Sequence, residues 1–463
     1  MKNQKRLDPN IFAKESIWKL MSKMCLPAIL TILIMVIYNM ADIYFIGQLN
    51  DPYKVTGLSL CMPLTTILSA FGSMIGTGSS SCISVAMGRG DNSKVARYSS
   101  FSFYFSILMG FAYGAIILLF QNPILNLIGT SVNTRGYAAS YLTLIMLGAP
   151  LTMLNTATGQ VIRCEGAAVS AMVGNLLGTI LNIILDPIFI LVLGMGIPGA
   201  AIATLIGTAS SSVFYILFII KKCQHTTIHL RDFTFASGIA ASVLAIGLPS
   251  GISTLLNSIS GIFENNLLVA HGDHYVAALS VAGRATMIIG MLQIGVAMGV
   301  QPIISYSYGA KNWKRMRETI QKTAIATILL GLALTLLCRG FASTLVTAFL
   351  DDAAIIPLGV YVISIGTLSG PFIGLYQLCT TFLQSSEKPS YALFVSVLRQ
   401  GLIFIPALYL LDRIAGFRGI VWAQPIATFA ALGLGIAFAL HHYKKIQADK
   451  AQIYGGYFDK CVL

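Results

Sequence analysis

Asp42, Asp186 and Glu264 are carboxylates set inside long apolar stretches of this chain. An ionised side chain at membrane depth costs roughly 2.5–3.5 kcal/mol on insertion scales, so each of them demands a partner or a proton. Asp42 and Asp186 stand about six to eight residues from the ends of their stretches, a common depth of roughly 9–12 Å at about 1.5 Å per residue. Asn182 lies four residues before Asp186 and shares its helix face. Carboxylates in such a place either hold a small hard cation through their oxygens or take up a proton, and the residues leave both open. Two structural alternatives compete: Asp186 precedes Pro187, an arrangement that often caps a restarted helix, and Asp42 could reach the interface by snorkelling. Glu264 has a candidate partner in Arg284, at a similar depth on the next stretch, and a structural or gating pair is expected. Arg399 lies deep in another stretch with no acidic partner in the sequence, to face a cavity or to bond carbonyls at a helix break.

The elements that must position these groups occur twice, about 220 residues apart. Leu26-Pro27 opens the stretch that runs to Asp42, and Leu248-Pro249 opens the one that runs to Glu264, with the same spacing from Pro to acid. Gly57-Leu58-Ser59-Leu60 answers to Ala278-Leu279-Ser280-Val281, Gly88 to Gly309, Asp186-Pro187 to Ile405-Pro406, and Gly199-Ala200-Ala201 to Gly419-Ile420-Val421. With 463 residues, 56% of them hydrophobic and only 10% charged, and a mean hydropathy of +0.78, the chain has too little polar surface for a soluble globule. Twelve apolar stretches, from 25–48 to 419–441, are each long enough to cross a hydrocarbon core of roughly 30 Å as a helix. The expected class is therefore an all-α polytopic membrane protein of twelve transmembrane helices in two pseudo-symmetric six-helix bundles. Its parts are an N-terminal tail (1–24), an N-lobe (25–220), an inter-lobe loop (221–236), a C-lobe (237–441) and a C-terminal tail (442–463). Six spans per half make the repeats parallel, with a binding cavity between them.

The net charge of +13 does not mark a nucleic-acid binder, because most of the 30 Lys and Arg residues fall in the tails and in every second loop. The positive-inside rule then puts both termini of the multi-pass chain in the cytoplasm. The first apolar segment lacks a small-residue cleavage site and is expected to be a retained span. Eight scattered cysteines without CxxC spacing suggest neither disulfides nor a metal cluster. The six histidines lie in loops or at span ends, no HExxH or GxxxxGK[ST] is present, and neither an intramembrane enzyme nor an ATP-driven pump is favoured.

The segments YNMADIYFIGQL (38–49), LNIILDPIFI (181–190), GIPGAAIAT (196–204) and GVQPIISYSYGAK (299–311) resemble the multidrug and toxic compound extrusion (MATE) family, in its DinF-like and MepA-like bacterial branch. The resemblance spans both lobes. It implies a V-shaped cavity alternating between the two sides of the membrane, and export of organic, often cationic amphipathic compounds in exchange for H+ or Na+, with no other cofactor. It also implies an N-lobe cation site at Asp42, Asn182, Asp186 and Thr204, although the Thr204 hydroxyl could simply bond its own helix. A second branch of the family uses two acids in the C-lobe. Glu264 matches the first, and residues 357–385 contain no acid to match the other. An adaptable organic-cation surface would draw on flexible Met and on aromatic faces. Candidates are Met35, Tyr38, Asn39, Met62, Met153, Asn155, Phe263, Met287, Met291 and Tyr376, with Arg399 beside them. The expected partners are small organic substrates and the lipid bilayer, with no nucleic acid, and the expected state is a monomer. A lipid-linked-precursor flippase of the same superfamily is the competing reading; its pyrophosphate would call for more cavity bases than Arg284 and Arg399.

Overall fold

The computed structural model describes residues 11–48, 51–236, 238–348, 352 and 355–458, and these are almost wholly helical. In chain order the longer helices are α1 (Ile17–Gly47), α2 (Pro52–Arg89), α3 (Asn92–Leu119), α4 (Val132–Leu147), α5 (Ala149–Cys164), α6 (Ala168–Pro187) and α7 (Ile197–Lys222). The second half supplies α8 (Ile239–His271), α9 (Asp273–Gly309), α10 (Trp313–Gly340), α11 (Ile355–Gly366), α12 (Gly370–Ser385), α13 (Pro389–Val397), α14 (Phe404–Ala415) and α15 (Phe417–Phe458). The helices α11 and α12 join through a tight turn, α13 and α14 through a π-helical stretch (Leu398–Leu402), and each pair makes one span. Eleven helices among the described residues are long and apolar enough to cross a membrane, and the pair α4 and α5, bent by 52°, makes the twelfth expected from the sequence.

The repeat is visible in the joints as well as the spans. Gly90 ends α2 in the left-handed region (φ 73°), and Lys311, its counterpart after α9, is held there too (φ 52°). The next residue but one begins a new helix in each half. The Asp91 side chain accepts from the Lys94 backbone N–H (3.0 Å) at the start of α3, and Asn312 accepts from that of Arg315 (3.1 Å) at the start of α10.

Two boundaries differ from the sequence expectation. The first spanning helix begins at Ile17, eight residues inside the expected tail, because Ile17, Leu20, Met21 and Met24 recur at helical spacing and bury one face in a core shared with Phe12, Val300 and Met316. At the other end α15 runs through the expected tail to Phe458, and Ile446 joins the same core.

The lobes meet along α2 against α8, and along α1 and α2 against α9. Small residues let the backbones touch. A Cβ on Gly247 would fall 1.8 Å from the Met74 carbonyl oxygen and one on Gly78 2.0 Å from that of Val243; Gly88 and Gly309 stand equally close to Tyr306 and Val85. Ser81 and Ser305 share a hydrogen bond of 3.1 Å across the seam, and Arg89 meets Glu387 at 2.7 Å. These contacts lie in the halves of the helices beside the basic loops. The inter-lobe loop is tied to the same end: buried Glu165 accepts the backbone N–H groups of His225 (3.0 Å) and Thr226 (2.7 Å).

Candidate functional site

Two groups of polar residues lie inside the bundle, one in each lobe. The N-lobe group is built where α6 gives way to a π-helical stretch, Ile188–Val192. Pro187 has no N–H to continue the α-helical ladder, and the chain widens by a residue per turn instead of stopping. Asp186 therefore does not cap a restarted helix; it is fully buried within a continuous one. The Asn182 Nδ2 group donates to Asp186 Oδ1 (3.4 Å) and to Thr204 Oγ1 on α7 (3.3 Å). Tyr38 of α1 brings its hydroxyl 3.4 Å from the same Thr204 oxygen. Thr204 is thus tied to neighbouring helices and not to its own backbone. Asp42, one turn beyond Tyr38 on α1, shares that inward face.

The chemistry of this group lies in what is left over. Asp42 Oδ1, Asn182 Oδ1 and Asp186 Oδ2 are all buried acceptors with no hydrogen-bond partner in the protein. A buried acceptor left unpaired costs roughly 1–3 kcal/mol, more when charged. Three such oxygens on two helices form a donor set suited to a hard monovalent cation or to protons. Among the described residues no His or Cys joins them, which leaves the soft and borderline transition metals without their usual ligands.

The second group lines a cavity of about 670 Å³ between the lobes. Ser73, Thr77 and Gln160 come from the N-lobe, and the rest of the wall from α8, α9 and the later helices. Of the expected substrate residues, Met287, Met291, Tyr376 and Arg399 line it, as does Glu264. Met153 does not: it is fully buried with Leu68 and Ala149 in the N-lobe core. Phe263 packs against the C-lobe core with its ring edge-on to Tyr409. Met35 and Met62 are exposed and, like Asn155, are not among its lining residues, and the side chain of Asn39 lies outside the described residues.

The expected Glu264–Arg284 pair is not formed. Beyond the turn at Gly272, α8 and α9 both pack on α2 but touch each other little, α8 lying also against α13 and α9 against α1 and α12. Glu264 is left facing the cavity, and Arg284 is exposed on α9.

Sequence reasoning missed the amides. Gln160, Gln301, Gln377, Gln384, Gln400 and Gln424 all reach the cavity. Gln384 Nε2 donates to Ser250 Oγ (3.0 Å), and Gln400 Nε2 donates to Asn257 Oδ1 (3.0 Å). The signal was present, since an amide within an apolar span is costly unless it faces a partner or water.

Comparison with known proteins gives the same frame. The MatE family model matches residues 27–188 and again 249–410, once per lobe. The multidrug export protein MepA of Staphylococcus haemolyticus (strain JCSC1435) is 28% identical over 445 residues, covering 96% of this chain and 97% of that protein. MepA of Staphylococcus aureus (strain N315) is 28% identical over 416 residues, 90% and 92% of the two chains. Among solved structures, MATE in the straight conformation superposes with a TM-score of 0.90 at 23% identity, over 95% of this chain and 99% of that one. An outward-facing multidrug resistance MATE family transporter of the MOP superfamily gives 0.90 at 23%, over 96% and 100%.

Proposed function

The chain belongs to the MatE family, and from that membership we propose that it is a secondary active exporter of organic, amphipathic compounds, driven by inward movement of H+ or Na+. The observation that carries the coupling is the trio of buried, unpartnered oxygens on Asp42, Asn182 and Asp186. The export itself is supported by the MepA relatives, which match nearly the whole chain.

The basic end of the bundle is the cytoplasmic face of the bacterial plasma membrane, by the positive-inside rule. The lobes are closed against each other there, so this conformation faces outward. Substrate leaves the inter-lobe cavity as the cation occupies Asp42 and Asp186. The neutralised N-lobe site then changes its packing on α1, and the lobes part at the basic end. One charge crossing about 100 mV supplies roughly 2.3 kcal/mol, near fifty-fold in gradient.

The test is efflux of a fluorescent organic cation from proteoliposomes under a pH gradient or a Na+ gradient imposed separately, with Asp42→Asn beside the wild type. Efflux under one gradient, lost in Asp42→Asn while dye binding persists, is the expected result and names the ion. Folded protein that moves no dye under either gradient overturns the proposal and favours the flippase reading.

A further inference from the structure

The cavity holds two charged side chains, Glu264 and Arg399, of opposite sign. Among the described residues neither forms an ion pair, with the other or with anything else. Two opposite charges that share one cavity and stay apart leave a place for a ligand that answers both.

Arg399 is held in a definite pose. It rises from the π-helical stretch Leu398–Leu402, whose extra residue re-aims the side chains that follow. Its Nε donates to Thr428 Oγ1 (3.4 Å), and its guanidinium lies over the Tyr376 ring, 4.7 Å from the centroid. One N–H and one face are thereby used. The two Nη groups have no acceptor among the described residues, which is the edge that receives a carboxylate through two parallel hydrogen bonds.

The spacing of the charges follows from the neighbouring contacts. Gln400 bonds Asn257, and the Ser260 hydroxyl donates to the Gln400 carbonyl, so this stretch stands level with residues 257–260 of α8. Glu264 lies one to two turns farther along, an axial offset of about 6–10 Å. Met287, Met291 and Leu279 supply apolar wall in the same cavity, and about 670 Å³ is drug-sized.

Resting on the exporter reading, we infer that Arg399 is the specificity-determining residue of this cavity: its free guanidinium edge takes the carboxylate of an organic zwitterion whose cationic nitrogen lies toward Glu264. A simple cation leaves Arg399 uncompensated, and a simple anion leaves Glu264 so. The zwitterion satisfies both, its charges complementing those of the cavity in sign.

A matched dye pair tests this. Rhodamine B carries a free carboxylate and a cationic xanthene at neutral pH, and its ethyl ester is the same molecule with the carboxylate capped. Dissociation constants are measured by fluorescence anisotropy on the purified full chain, and gradient-driven efflux of both dyes is measured in proteoliposomes. Wild type is expected to prefer rhodamine B at least tenfold, about 1.4 kcal/mol. Arg399→Gln abolishes the preference, and Arg399→Lys keeps part of it. The ratio is taken within one preparation, so it does not depend on the active fraction. Should Arg399→Gln fail to fold, Thr428→Val removes the Nε acceptor and lowers the ratio by a smaller factor. Equal affinities in wild type, or a preference that survives Arg399→Gln, overturns the inference while leaving the exporter reading intact. Absence of gradient-driven efflux for both dyes overturns the exporter reading itself.

Discussion

Gly247→Ala is the sharpest test of the lobe seam. The added Cβ would stand 1.8 Å from the Met74 carbonyl oxygen and 2.7 Å from its carbon. Both are backbone atoms of α2, so no side-chain rotation relieves the clash. Reaching an ordinary contact of about 3.4 Å moves α8 away from α2 by about 1.6 Å. Overpacking of this kind costs typically 1–3 kcal/mol. In the proposed cycle the lobes separate along this seam, so the cost falls on the closed state and not on the opened one. The equilibrium then shifts by roughly 5- to 150-fold toward separation at the basic end. Spin labels on cysteines at Lys94 and Lys388, exposed residues flanking Arg89 and Glu387, would read this as a longer distance in a background free of the native cysteines. Gly261→Ala is the control, since its Cβ meets nothing within 4 Å. A folded Gly247→Ala protein with the wild-type distance distribution refutes the reasoning, because the methyl group would then be accommodated without parting the lobes.

Other expectations are smaller in scale. The Arg89–Glu387 ion pair spans the lobes, but its side chains are 44% and 39% exposed. Arg89→Gln should therefore shift the same spin-label equilibrium by less than about 1 kcal/mol, and by less still in high salt; a shift comparable to that of Gly247→Ala would contradict this. Glu165→Ala removes the acceptor of two backbone N–H groups in the inter-lobe loop. Faster amide exchange at His225 and Thr226 is expected, by roughly ten- to a hundred-fold from the loss of about 1.5–3 kcal/mol; unchanged protection would show that the loop is held by its other contacts, such as Thr227 to Ser99.

The frame of this protein is written in its sequence at two periods. The length of the apolar stretches sets the number of spans, and the repeat of Pro27 to Asp42 against Pro249 to Glu264 sets the two lobes. In the N-lobe the neighbourhood of Asn182 and Asp186 was legible from their spacing of four on one helix, whereas the part of Thr204 beside them entered only through the family resemblance. What the sequence does not carry is which face of each helix the partner helices choose. Met153 and Met287 are the same residue type in equally apolar surroundings, yet one is sealed in the N-lobe core and the other lines the cavity. Equal depth likewise did not make Glu264 and Arg284 neighbours, because depth along two helices says nothing about their divergence.

The repeat also accounts for the difference between the lobes. Asp42 and Glu264 are counterparts, but the counterpart of Asp186 is Ile405. The N-lobe acid consequently stands with a second carboxylate, an amide and a hydroxyl in an oxygen cluster whose leftover acceptors are buried. Among the described residues the C-lobe acid has no second carboxylate beside it in the inter-lobe cavity into which it opens, and the other charge lining that cavity is the guanidinium of Arg399. A pocket of buried oxygens selects a small cation, whereas an open cavity with one charge of each sign selects an organic molecule. In the mechanism proposed here the two lobes share one scaffold, and an isoleucine at 405 in place of an acid, together with a base at 399, leaves ion coupling to the N-lobe and substrate recognition chiefly to the C-lobe.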